Sequence, residues 1–309
     1  ITVTAIHTVR VKFLKSRIKF ADQMFICIHH YSFRFAKFSE SIFKPTVLTY
    51  SHMTKFAALI FILFSLPAFA QVKQGYVKEH YIKTDTLITM RDGIRLYTVI
   101  FTPKDNSEKY PILMERTPYS AGPYGNDQYP NRIGPDTNLM KEKYIFVIQD
   151  VRGRYMSEGI NLEMTPHIKN KKSNRDVDES SDTFDTIEWL LKNISNNNGR
   201  VGIYGISYPG FYATMAAIEA HPAVKAVSPQ APVTDVFLGD DDHHYGALFL
   251  FESFTFQTFF GLPRKQPTKN QFTDFNMGTP DGYSFFLTNR TILNLKQKYL
   301  SPENKYWND

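Results

Sequence analysis

A serine stands between two glycines in the segment Arg200 to Ala217, RVGIYGISYPGFYATMAA. A β-rich run ends at Tyr204. Then come Gly205, Ile206, Ser207, Tyr208, Pro209 and Gly210, followed by a small-residue helix. This is the strand–turn–helix context of a nucleophile elbow, where a serine on a tight turn projects its hydroxyl above a sheet edge. Glycines suit the two flanking positions because strand and helix backbones crowd together there. The helix N-terminus would point its amides at a developing oxyanion, with the N–H of Tyr208 as one donor. The spacing is G-x-S-x-x-G, not the strict G-x-S-x-G. The bare pattern is weak, and its place between strand and helix carries the reading against that of a structural turn.

Other polar residues are less specific on their own. Tyr119 ends Glu115-Arg116-Thr117-Pro118-Tyr119, which alone reads as an ordinary turn. Asp240, Asp241 and Asp242 alone read as a solvated acidic turn. His243 and His244 are adjacent, and adjacent side chains diverge in a strand or a helix, so packing roles are favoured over metal ligation. Asp150, Arg152, Arg154 and Glu158 follow a strand's carboxyl end, where α/β proteins place function. An Asp–Arg pair tying a loop to the sheet is the preferred reading there. Lys169, Lys171, Lys172 and Arg175 read as a wet loop in preference to an anion site.

The elements that must position Ser207 follow from periodicity. Val77 to Ile82 reads as an edge strand. Asp92-Gly93 reads as a hairpin turn between Asp85–Arg91 and Ile94–Thr102. Tyr110–Glu115 and Tyr144–Gln149 are short continuous apolar runs, suited to strands buried on both faces. A helix is expected from about Ser181 to Asn193, with Phe184, Ile187, Leu190, Leu191 and Ile194 at helical spacing. Strand 200–204, helix 208–220 and strand 224–227 complete an alternation that implies right-handed crossovers and a mainly parallel sheet. Residues 71–232 are therefore expected to form the first part of an α/β domain. Residues 233–309, rich in Phe and Tyr, read as the start of a mostly helical cap.

Charge sharpens the N-terminal boundary. The chain of 309 residues carries a formal charge of +6. Residues 1–52 hold eight Lys/Arg against only Asp22 and Glu40, whereas residues 71–309 are almost neutral. A basic nucleic-acid-binding body is excluded as the default. Residues 53–70, MTKFAALIFILFSLPAFA, have the three parts of a secretory signal peptide: Lys55, the apolar run Phe56–Leu66, and Ala68-Phe69-Ala70 before Gln71. The run is shorter than the roughly 20 residues that span a bilayer. Signal peptides stand at a natural N-terminus, so residues 1–52 are expected to be upstream sequence read through in frame, and the product is expected to be periplasmic or secreted. The single cysteine, Cys27, excludes a disulfide framework within one chain.

Four segments together resemble a known family: Glu115–Tyr119; QDVRGRYMSEG from Gln149 to Gly159; DTIEWLLKN…NGRVGIYGISYPGF from Asp185 to Phe211; and GDDDHHYGA from Gly239 to Ala247. In order and spacing they resemble the α-amino acid ester hydrolases and glutaryl-cephalosporin acylases, grouped with cocaine esterase and the X-prolyl dipeptidyl-peptidases. The S-Y-x-G elbow is that family's own variant. The resemblance implies an α/β-hydrolase fold and no cofactor or metal. Its substrate would be a small ester, amide or short peptide. It leaves homo-oligomerisation open. It further implies that Ser207 is the acylated nucleophile, that the N–H of Tyr208 and the hydroxyl of Tyr119 form the oxyanion hole, and that Asp241 helps hold a substrate α-ammonium.

A serine nucleophile also needs a base and an acid to orient it. In this fold they follow in the order Ser, Asp/Glu, His. After Ser207 the histidines are His221, His243 and His244. His221 is expected too far from the sheet edge, and the other two precede any suitably placed acid. The family's acid and histidine lie further on, so the chain reads as the front of a longer enzyme, expected to be inactive alone.

Overall fold

The computed structural model describes residues 74–300, apart from 240, 263, 265 and 271–274. The expected upstream stretch, the expected signal peptide and Asp240 lie outside the described residues. No described helix is long and apolar enough to cross a membrane.

A six-stranded mixed sheet carries the fold, in the order β1-β2-β4-β3-β5-β6. Its strands are β1 (Tyr81–Thr89), β2 (Arg95–Pro103), β3 (Tyr110–Thr117), β4 (Ile145–Asp150), β5 (Asn197–Ile206) and β6 (Val224–Gln230). The β1–β2 and β2–β4 pairs are antiparallel, and β4–β3, β3–β5 and β5–β6 are parallel. Helices α1 (Tyr76–His80), α2 (Thr137–Lys141), α3 (Glu179–Asn193) and α4 (Tyr208–Ala217) accompany it. This is the α/β-hydrolase arrangement that the sequence implies. After β6 come a two-stranded ribbon, β7 (His243–His244) and β8 (Ala247–Leu248), and then α5 (Leu250–Phe260), α6 (Gly282–Asn289) and α7 (Ile292–Tyr299).

The continuous apolar runs become the inner strands. In β3 and β4 alternate side chains enter two different cores. Ile112, Met114, Ile145 and Val147 pack with Ile187 and Leu190 of α3 and Ala213 and Ala216 of α4. Phe146 points the other way, with Val99, Phe101, Ile133 and Met140. The period-2 geometry of a strand requires this division.

Several boundaries differ from the sequence reading. The edge strand expected at Val77–Ile82 is helix α1 up to His80, and β1 begins at Tyr81. Gly75 starts that helix with a left-handed φ of 88°, and Val77 and Tyr81, four residues apart, both enter the second core. The first hairpin strand starts at Tyr81 instead of Asp85, because Tyr81–Thr84 pairs with the far end of β2. Helix α3 begins two residues before Ser181. Asp178 caps it, accepting the N–H of Ser181 at 2.9 Å while its own N–H donates to Ser181 Oγ at 2.8 Å. Helix α4 ends at Ala217, three residues before the expected end.

Candidate active site

Ser207 is the hinge between β5 and α4. Its backbone sits at φ 62°, ψ −124°, a left-handed conformation rare for a residue with a side chain. Such a conformation costs roughly 1–3 kcal/mol and persists only where the surroundings enforce it. The enforcement is visible. The N–H of Ser207 donates to Gln230 O of β6 at 2.9 Å, and Ser207 O accepts the N–H of Phe211 at 3.2 Å to open the helix. A Cβ on Gly205 would lie 2.1 Å from Pro209 O, and one on Gly210 would lie 2.8 Å from Gln230 O. Both glycines are therefore fixed by backbone approach. Pro209 falls in the first turn, where a missing N–H costs no helical bond.

Tyr208 follows the serine and is almost wholly buried. Its ring stacks on Tyr212 with centroids 5.4 Å apart and lies 5.3 Å from Phe260 of α5. Its phenol oxygen accepts the N–H of Met164 at 3.0 Å. Burial holds that phenol far above its ordinary pKa. The backbone N–H of Tyr208 belongs to the first turn of α4, whose amides have no partner within the helix.

Tyr119 is carried by the loop after β3. Its ring meets Tyr208 edge-on at 6.4 Å and Phe260 at 5.9 Å. Burial of the phenol, reinforced by the negative fields of Asp241 and Glu163 and opposed by Arg154, pushes its pKa up to about 12. It is a neutral O–H donor at any ordinary pH.

The loop is clamped by Asp150 at the end of β4. Asp150 Oδ1 accepts the N–H of Ala121 at 2.6 Å, and Oδ2 accepts the hydroxyl of Tyr124 at 2.9 Å and the N–H of Met156 at 3.1 Å. Burial outweighs these bonds and pushes its carboxyl up to about 6. Its charged neighbours are tied down as well. Arg152 pairs with Asp92 and Asp182, each at 2.7 Å, and Glu158 pairs with Arg95. Arg154 donates to Asn161 Oδ1 at 3.1 Å and Phe260 O at 2.6 Å, with its guanidinium 3.7 Å from the Phe260 ring centroid. The four residues act as loop fasteners, as the sequence suggests.

A cavity of about 730 Å³ opens over the elbow. Ser207, Tyr208, Tyr119 and Asp241 all line it, although they come from three separate segments. His244 reaches its wall, with its ring 4.2 Å from Phe249, so it edges the cavity in addition to packing. His243 instead turns Nδ1 to Val236 O at 2.8 Å. Among the described residues no group of three or more His, Cys, Asp or Glu is placed to hold a metal. His221 lies elsewhere: Nδ1 accepts the N–H of Ala223 at 3.0 Å, so Nε2 carries the proton and faces Glu188 Oε1 at 2.7 Å. Sequence reasoning missed two wall residues, Glu163 and Gln257, which meet at 3.1 Å.

Residues 92–283 match the family model described as X-Pro dipeptidyl-peptidase (S15 family). The chain belongs to this family. It is 30% identical over 156 residues to the cocaine esterase of Rhodococcus sp. (strain MB1 Bresler), covering 50% of this chain and 24% of that protein. Among solved structures it is similar to an α-amino acid ester hydrolase, at 32% identity and a TM-score of 0.64, covering 79% of this chain and 40% of the other. It is similar to the same degree to an aminopeptidase of a marine sediment archaeon, Thaumarchaeota archaeon: 30% identity, TM-score 0.64, 79% of this chain and 39% of the other. The chain thus spans about a quarter of that curated relative and about two fifths of those solved structures.

Proposed function

We propose that this S15-family chain carries the nucleophile half of a serine hydrolase that works through an acyl-enzyme on esters or amides with a free α-amino group. The observation that carries the reading is the convergence of Ser207, in its enforced left-handed turn, with Tyr119 and Asp241 on one cavity. Ser207 Oγ attacks the carbonyl carbon and gives up its proton to a general base. The carbonyl oxygen becomes an oxyanion held by the Tyr208 N–H and the Tyr119 O–H, and the leaving alcohol or amine departs protonated. Water then attacks the acyl-serine through the same oxyanion and frees Ser207. Asp241 anchors the substrate's α-ammonium, a compact cation suited to a carboxylate. The base and its acid belong to the part of the relatives' length that this chain does not cover. Residues 53–70 direct export to the periplasm or beyond.

The family description favours one second reading, an X-prolyl dipeptidyl-peptidase, which would prefer N-terminal X-Pro amides over amino-acid esters. A fluorophosphonate probe on the full-length protein tests the shared mechanism. Labelling that Ser207→Ala abolishes is expected, and an unlabelled, correctly folded protein would make it a binding module. Turnover by residues 71–309 alone would refute the placement of the base outside this chain.

A further inference from the structure

The cavity over Ser207 has an acid that the proposed chemistry does not use. Glu163 stands on the loop after β4, a different segment from Asp241, and both line the cavity. Its place is fixed from two sides. The next residue, Met164, donates its N–H to the phenol oxygen of Tyr208, so the Glu163 backbone lies at the far end of the tyrosine beside the nucleophile. Glu163 Oε1 accepts from Nε2 of Gln257, a residue only 1% exposed in α5. Among the described residues no donor reaches Glu163 Oε2. Besides these acids, the cavity wall includes Tyr208, Met164 and Phe256, which pack in one apolar cluster beside the elbow. No lysine or arginine is among the described lining residues, whereas Asp241, Asp242, Glu163 and Glu252 are. Arg154, the cation whose field reaches Glu163, is turned to Asn161 and Phe260. Burial pushes the Glu163 carboxyl upward, with the Gln257 bond and Arg154 opposing and Asp242 adding to it, so an incoming cation would favour the ionised form.

We propose that Glu163 is a specificity-determining residue that receives a second cation of the substrate, the basic end of a lysine- or arginine-like acyl side chain whose methylenes run along Tyr208, Met164 and Phe256. Basic side chains have this form, an apolar stem with a charged tip. The inference rests on the hydrolase reading for its orientation, with the carbonyl at Ser207 and the α-ammonium at Asp241. A carboxylate tied only to Gln257 for structural reasons would be indifferent to the side chain of the substrate.

The test compares lysine methyl ester with norleucine methyl ester, which differ only by a terminal ammonium in place of a hydrogen, on the full-length protein. The expected kcat/KM ratio favours lysine on the order of tenfold, the size of a charge-assisted hydrogen bond in a partly buried site. Glu163→Gln keeps an acceptor for Gln257 and removes the charge, and should bring the ratio to about 1. Calorimetry on Ser207→Ala with lysinamide and norleucinamide reads the same preference without turnover. A binding preference lost in the Ser207→Ala, Glu163→Gln double variant supports the proposal even if Ser207 proves unreactive to fluorophosphonate, a result that would sink only the hydrolase reading. Equal binding of the two amides, or a preference that survives Glu163→Gln, overturns the assignment to Glu163.

Discussion

The two walls of the cavity are built on different principles. The elbow wall is a strained turn between β5, β6 and α4, fixed by the Ser207 N–H bond to Gln230 O and by the close backbone approaches at Gly205 and Gly210. The facing wall is assembled from loops and the first helix after the ribbon: Tyr119 after β3, Glu163 after β4, Asp241 before β7 and Gln257 in α5. The first wall tolerates almost no change of shape, and the second is held by side-chain bonds that can be exchanged singly. Rate should therefore reside in the scaffold together with one loop residue, Tyr119, and selectivity in the other loop residues, as is general where rigid elements present variable segments.

The sharpest way to break this contrast is Gly205→Ala. Its new methyl would lie 2.1 Å from Pro209 O, and the contact is backbone, so the turn itself must move. A loss of about 3–4 kcal/mol is expected in denaturant unfolding. A cost below about 1 kcal/mol would show that the elbow gives way and that its rigidity is overstated. Tyr119→Phe comes next. It removes one hydroxyl and keeps the ring against Tyr208 and Phe260, so kcat should fall on the order of a hundredfold with folding unchanged. An unaltered kcat would take Tyr119 out of the oxyanion hole.

A third prediction concerns the clamp that ties the loops of the facing wall to the end of β4. Asp150 has a folded pKa raised from 3.8 to about 6. The native state therefore holds its proton to higher pH than the unfolded chain does, and this group's contribution to stability falls as pH rises from about 4 to about 6. Relative to Asp150→Asn, the native protein should lose about 1–2 kcal/mol across that window, discounted from the full shift for relaxation around the carboxyl. A difference that is flat with pH would mean that its three donors balance burial, and one that rises with pH would mean that they outweigh it. The smallest effect belongs to the selective wall. Asp241→Asn should raise KM for α-amino esters roughly tenfold and leave esters without an amine nearly unaffected. Equal effects on both would deny it the ammonium.

What could be read in the sequence follows the same division. The elbow was legible because backbone crowding demands glycine at fixed offsets, a requirement written in residue types. The strands β3 and β4 were legible because both faces are buried, leaving unbroken apolar runs. Helix α1 was not: five residues are too few for a period, and Val77 and Tyr81 are held by a core distant in sequence. Tyr119 and Asp241 were found by resemblance alone, since a Thr-Pro-Tyr turn and an acidic run have many ordinary uses. Glu163 gave no signal, because its place depends on Tyr208 and Gln257, 45 and 94 residues away in the chain, which hold its loop and its carboxylate.

The bond from the Ser207 N–H to Gln230 O has one more consequence. That amide is committed to the neighbouring strand and is not available to a substrate, so a reacting carbonyl would find a single main-chain donor at the elbow and need a side chain for the second. The same bond makes the Ser207 amide a built-in gauge of the sheet. Its rate of deuterium uptake would report whether the β5–β6 seam opens, and a ligand that slows this uptake would be bracing the nucleophile from a strand it never touches.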